Sequence, residues 1–286
     1  VGYFWTPMAL LHNTVLYVTV FVAQYVGANR PARVGPVVWQ SLYFAVLGGA
    51  LFPFLAPAAD AVIALTNHDD AVRRLESVYF AALSFAALPM LLVAAANGFF
   101  AGRGATWTVL LTNAVGMGVN AALAVPLILW RKDDPEAAMA GAGYAAAVGS
   151  AASAALGLWL LFRPRFRDEF ATLSGWRFDP ALFLRLMRFG LPNGLQWCIE
   201  GLAFTMFVVL IGNIGKAELA ATSLTFSLNL LTFMPVMGIG QGVEVLVGRR
   251  QGEKRPDLSE KTACTGALLA TGWMVLVAVL YCTVPG

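Results

Sequence analysis

The stretch GLPNGLQWCIEGLAFTMFVVLIG, residues 190–212, decides how the rest of the chain is read. It is a helix-length apolar run, yet Glu200 stands at its midpoint, twelve residues from Arg188 and twelve from Gly212. At 1.5 Å of rise per residue that is about 18 Å to either end, too deep for the carboxylate to reach an interface. An acid at the centre of a bilayer costs about 2.5–3.5 kcal/mol on insertion scales, so something must offset it. Gln196 lies one helical turn below and Asn193 two turns below, which places all three on a broadly shared face. Two readings follow. Glu200 is either a structural, protonated acid hydrogen-bonded to Gln196 or to a neighbouring helix, or a cation or proton site facing a wet cavity.

Working outward, the 286 residues are 59% hydrophobic and 12% charged, with a mean hydropathy of +0.71. Soluble domains carry about 25% charged residues, so most of this chain belongs in a solvent that rejects charge. The net charge of +3 is small, and the basic residues gather at the ends of apolar runs. That pattern argues against nucleic acid as a partner and for the lipid bilayer. Cys198, Cys264 and Cys282 all fall in apolar segments without metal spacing and read as small buried hydrophobes. His12 and His68 are too few and too far apart for a metal or a catalytic triad.

A membrane span needs about 20 mostly apolar residues. Eight candidates meet this, approximately 4–26, 37–57, 75–100, 107–130, 138–162, 189–212, 219–248 and 262–283. Alternate loops hold fourteen and five of the nineteen basic residues. The richer set, which includes Arg103, Arg163 to Arg188 and Arg249 to Lys261, marks the cytoplasmic side. The polar stretch RPRFRDEFATLSGWRFDPALFLRLMR (163–188) reads as a cytoplasmic connector between an N-terminal lobe at 1–162 and the start of a C-terminal lobe at 189–286. Its last dozen residues form an amphipathic lead-in. The density of Gly and Ala in AGAGYAAAVGSAASAALG allows close helix approach. An internal repeat supports two lobes: VTVFVAQYVGANRP (18–31) and VEVLVGRRQGEKRP (243–256) align without gaps at an offset of 225, with six identities. Extending that repeat implies one helix before Val1 and about three after Gly286. The expected whole is an all-α, twelve-helix protein of two parallel repeats, an arrangement found in secondary transporters.

Three segments in order carry a family resemblance: FVAQYVGANRPARVG (21–35), GFFAGRGATWTVLLTNAVGMGVNAALAVPLI (98–128) and RLMRFGLPNGLQWCIEGLAFTMFVVLIGNIGKAELAATSL (185–224). They resemble the second-helix end, the fourth-to-fifth helix passage and the seventh helix of the multidrug and toxic compound extrusion (MATE) family. The resemblance would make the chain helices two to nine of that fold. It implies a multi-pass protein of the cell membrane that exchanges inward-moving Na⁺ or H⁺ for outward-moving organic, often cationic, compounds, as a monomer and with no cofactor beyond the coupling ion. Glu200 matches the acid that many members carry on the seventh helix. Asn120 matches the fifth-helix Asn of proton-coupled members, whose Asp four residues later is Ala124 here.

The remaining polar residues in the spans leave alternatives open. Glu244 lies five residues from Arg249, so it either reaches the interface or lines a cavity or gate, and Gln241 shares its face one turn deeper. Asn113 and Asn120 are seven residues apart and stack on one face, suited to interhelical hydrogen bonds or to ligand contact. The candidate ion and substrate residues are therefore Glu200, Gln196, Asn193, Asn120, Gln241 and Glu244, with Na⁺ at Glu200 as the metal option. A lipid or lipid-linked sugar flippase is the alternative function, but it would favour cationic residues in the spans, and there are none. An enzyme would need a paired acid or Ser–His cluster within the spans, and none is visible.

Overall fold

The structure, a computed structural model, describes residues 2–64, 69–131 and 133–283, and every described element is helical. His68 and Lys132 of the sequence reading lie outside the described residues. In chain order the helices are α1 (Gly2–Leu16), α2 (Val18–Gly27), α3 (Val34–Leu51), α4 (Ala56–Ala64), α5 (Asp70–Ser84) and α6 (Ala87–Gly102). They continue with α7 (Thr106–Trp130), α8 (Pro135–Leu161), α9 (Pro164–Phe170), α10 (Pro180–Ile214), α11 (Lys216–Gly252) and α12 (Pro256–Thr283). Seven described segments are long and apolar enough to span a membrane, and the bent pair α5–α6 makes an eighth.

That third span differs from the continuous 75–100 segment expected. The axis turns by 47° between Ser84 and Ala87. Pro89 explains the break, because its ring opposes the carbonyl four residues back, at Phe85, and it has no N–H to donate there. Pro126, Pro192 and Pro235 stay inside continuous helices. The connector also differs in detail. The Asp179 carboxylate accepts from the N–H groups of Ala181 and Leu182 at 3.0 and 3.1 Å, and Pro180 follows it. This N-cap starts α10 early, so the amphipathic lead-in is the first turns of a 35-residue helix.

The chain divides into two compact units, Val1–Val22 with Pro31–Gly201, and Ala23–Arg30 with Leu202–Gly286. The first is a helical bundle in which α6 and α8 pack on α1, α3, α5 and α7. Phe4, Met8, Phe52, Leu91, Phe99 and Phe100 are fully buried in it. Small residues let α7 and α8 approach closely, as their Gly and Ala density anticipates: a Cβ on Gly149 would stand 2.7 Å from the Gly116 carbonyl oxygen. Residues 163–179 are fastened to the bundle. Trp39 Nε1 donates to the Thr172 carbonyl at 2.7 Å, Gln40 Nε2 to that of Arg177 at 3.3 Å, and the Tyr43 hydroxyl to that of Trp176. The Arg103 guanidinium sits 4.3–4.9 Å from the ring centres of Phe99, Phe166 and Phe170, clamping α9 onto the end of α6.

The second unit holds the end of α2, the second half of α10, α11 and α12. Its α11 turns large apolar side chains outward, with Leu224 and Leu231 each 70% exposed, which suits a hydrocarbon solvent. The same solvent accounts for the cysteines: Cys198 is half-buried, but Cys264 and Cys282 are exposed rather than buried as expected. An apolar helix face in a membrane hosts a thiol as readily as a core does.

The two repeat copies have the same backbone. In the first, Asn29 N–H donates to the Val26 carbonyl and Arg30 N–H to that of Tyr25, at 3.1 and 2.9 Å. In the second, Lys254 donates to Gln251 and Arg255 to Arg250, both at 3.0 Å. Asn29 and Lys254 are both left-handed, at φ 54° and 58°. Each copy is a Schellman helix end, and every partner matches at the offset of 225. The copies also touch each other reciprocally. A Cβ on Gly27 would overlap the Arg249 backbone, and one on Gly252 would overlap the Gln24 carbonyl. Arg249 is the counterpart of Gln24, so this is the self-complementary contact of a local twofold.

Candidate functional site

Glu200 lies on α10, whose first half docks on α1. The Thr14 hydroxyl lies 3.3 Å from the Gly190 carbonyl, and Gly194 closes on the Leu10 backbone. With those two glycines against α1, the opposite side of α10 turns away from the bundle. Gln196 and Glu200 are both exposed there, and Gln196 Nε2 donates to Glu200 Oε1 at 3.0 Å. Asn193 is half-buried at the lower end of the stripe. The three residues therefore share a face as their spacing requires, and two of them are bonded.

Asn120 is elsewhere in the same unit. It lines a cavity of about 300 Å³ whose other polar walls are Asn113, Ser150, Ser153 and His12. Trp5, Met90 and Met117 supply the apolar walls. The Asn113 amide is held from behind. Asn97 Nδ2 donates to Asn113 Oδ1 at 3.1 Å, the Thr112 hydroxyl is 2.9 Å from Asn97 Oδ1, and the Ser153 hydroxyl donates to the Thr112 carbonyl at 2.5 Å. These bonds occupy the Asn113 oxygen and leave its amide protons for the cavity. His12 is the titratable side chain among the lining residues. Apolar walls with a few convergent polar groups are the usual composition of a small-molecule site.

Gln241 and Glu244 fall in the second unit, both exposed and about one turn apart on α11. The six candidates thus form three groups: a bonded stripe on α10, one wall of a cavity, and a pair on α11. Sequence reasoning missed His12, Ser150 and Ser153 as members of the cavity and Asn97 as the amide behind it. Asn97 carried a usable signal, a lone amide in the apolar run AAANGFF; the serines did not, since small residues there are explained by helix packing.

Long apolar helices, an embedded carboxylate and a polar cavity inside a helical bundle define an all-α, multi-pass protein of the cell membrane. The family model described as MatE matches residues 9–125 and 192–285, most of the chain. The chain belongs to the MatE family. It is 31% identical over 207 residues to a "Probable multidrug resistance protein NorM" of Brucella suis, an alignment covering 71% of this chain and 43% of that protein. It is 28% identical over 295 residues to the protein of the same name in Xanthomonas campestris, covering 96% and 60%. The chain thus spans about half the length of the curated relatives it matches. Its fold superposes on a MATE crystallised with MaL6 at a TM-score of 0.86, with 19% identity, covering 98% of this chain and 63% of that one. For the outward-facing conformation of a multidrug resistance MATE family transporter the TM-score is 0.85, again at 19% identity, covering 97% and 61%.

Proposed function

We propose that this chain is part of an ion-coupled antiporter that admits Na⁺ or H⁺ and exports organic, cationic compounds. The names of its NorM relatives support export of drugs. The observation that carries the coupling is Glu200 itself: a carboxylate at mid-span, exposed, with Gln196 one turn away as its hydrogen-bond donor. A proton or a sodium ion on that carboxylate neutralises the wall, and its departure restores a negative site for a cation moving the other way. The Glu200 carboxylate and the Gln196 amide oxygen are the ligands the stripe offers Na⁺. The flippase alternative calls for cationic side chains around a phosphate-bearing ligand, and the residues lining the 300 Å³ cavity include neither Lys nor Arg.

The test is Glu200→Gln in the full-length protein, which keeps side-chain size and a hydrogen-bonding partner for Gln196. Ion-gradient-driven efflux of a fluorescent organic cation from membrane vesicles should fall to background with insertion unchanged. Efflux at the unaltered rate would place coupling on another residue and end this reading.

A further inference from the structure

The connector end of the first unit carries a row of aromatic rings that neither the Glu200 stripe nor the cavity uses. Phe162, just past the end of α8, stands 5.6 Å from Trp39 on α3, centre to centre. Trp39 is 5.7 Å from Tyr43, and Tyr43 is 5.8 Å from Phe178, just before α10. Both rings of α3 are fixed in place, since Trp39 Nε1 donates to the Thr172 carbonyl and the Tyr43 hydroxyl to that of Trp176. The row is not a sealed core: Phe178 is exposed, and Trp176 beside it is 60% exposed. Further along α3, Val46, Leu47 and Leu51 follow Tyr43 at helical spacing, and all three are exposed. Aromatic rings at the end of an apolar helix face belong at the boundary between lipid headgroups and acyl chains.

An arginine flanks each end of the row. Arg163 follows Phe162, with its guanidinium 3.9 Å from the ring centre of Trp159, and Arg177 precedes Phe178. Both arginines are exposed. The ion pairs of the described residues are made by Arg73, Arg74, Arg249, Arg250 and Arg255, so Arg163 and Arg177 have no acidic partner among those residues. Of the connector's acids, Asp179 is occupied in capping α10. Orienting a chain in a membrane requires only an excess of basic residues in the loops; it does not require them to stand uncancelled beside exposed rings. Two such guanidiniums above an apolar face complement a molecule with a phosphate at one end and hydrocarbon at the other. We propose that this face docks anionic glycerophospholipids of the adjacent leaflet, with Arg163 and Arg177 holding headgroup phosphates and Tyr43, Val46 and Leu47 lying along the acyl chains. The surface is separate from the Glu200 stripe and needs no coupled transport to fill.

Retention of phosphatidylglycerol by the purified full-length protein in detergent, followed by native mass spectrometry, tests this against phosphatidylcholine of the same acyl chains, which has no net charge. The unaltered protein should retain phosphatidylglycerol more tightly. Arg163→Gln with Arg177→Gln should weaken that retention about thirtyfold and leave phosphatidylcholine as it was. Lys254→Gln with Lys261→Gln removes the same charge from the same basic-rich set of loops but in the second unit, and should leave both lipids near their unaltered retention. Phe178→Ala, which shortens the row without changing charge, should weaken both. Size-exclusion behaviour confirms that each variant is folded, and the arginine and lysine pairs, all exposed side chains, decide if Phe178→Ala aggregates. Equal retention of the two lipids by the unaltered protein, an equal loss in the arginine and lysine pairs, or a folded Phe178→Ala without effect would overturn the proposal.

Discussion

Adding one methyl group at Gly252 should open the contact between the repeat copies. The Cβ of Gly252→Ala would overlap the Gln24 carbonyl oxygen and stand 2.9 Å from the Ala28 nitrogen. Both are backbone atoms that cannot rotate aside, so the end of α11 must withdraw from α2 by about 1 Å to reach ordinary contact. Overpacking of this kind costs about 1–3 kcal/mol, enough to shift the balance between contacting and separated states about 5- to 150-fold. Gly27→Ala should do the same from the other side, where its Cβ meets the Arg249 backbone at 2.8–2.9 Å for the carbonyl carbon and Cα. The symmetry adds a sharper expectation. Once one alanine has separated the helices, the second clash is already relieved, so the double variant should cost less than the sum of the singles. The assay is a distance distribution between spin labels at Arg30 and Arg255, exposed and equivalent positions of the two copies. Each single variant should lengthen or broaden it. Unchanged distances in both singles, or costs that add fully in the double, would refute the reciprocal-contact reasoning.

Two further expectations concern the frame of the site. Asn97→Leu removes the amide that joins Asn113 to Thr112 and should destabilise the protein by about 1–2 kcal/mol, measured by unfolding in mixed micelles; an unchanged midpoint would mean the network is not what orders α6 against α7. Near the end of α11, Arg250 and Arg249 hold the Glu253 carboxyl below its usual range, the hydrogen bond from Arg250 at 2.7 Å being the main cause. A carboxyl depressed in the folded state contributes stability that is present above its unfolded pKa of about 4.5 and is lost as pH falls through the folded value. Glu253→Gln should therefore flatten that part of the stability curve and leave neutral pH less stable than the unaltered protein.

Much of the fold was legible because its solvent is hydrocarbon. A run of about 20 apolar residues has one stable answer in a bilayer, a helix, so span number and approximate ends follow from counting. What counting could not supply was the cost of single backbone groups. Pro89 breaks a span, whereas Pro192 is absorbed within α10, and the difference depends on whether neighbours accommodate the lost hydrogen bond. The helix start at Pro180 depends on the orientation of the Asp179 carboxylate. The repeat was visible as six identities, but its strongest content, a shared left-handed residue at Asn29 and Lys254, involves residue types that differ. The stripe of Glu200 and Gln196 was readable because it is local to one helix. The cavity was not, since His12, Met90, Asn113 and Ser150 come from four helices and meet only through packing.

The distinction between a structural acid and a coupling acid can be drawn from what its oxygens still lack. An ionised carboxylate has about four lone-pair positions. A structural Glu at mid-membrane would fill them with donors from neighbouring helices, because each unmet position carries a desolvation cost. Glu200 has one hydrogen bond among the described residues, from Gln196, and it engages Oε1. Its donor is neutral and lies on the same helix, so it orients the carboxylate without cancelling the charge. The contrast with Glu253 is direct. That carboxylate is met by Arg249 and Arg250 and is neutralised in place. An acid oriented by an amide and exposed along the rest of its surface keeps room for a small cation, which is what the antiport proposal requires of Glu200.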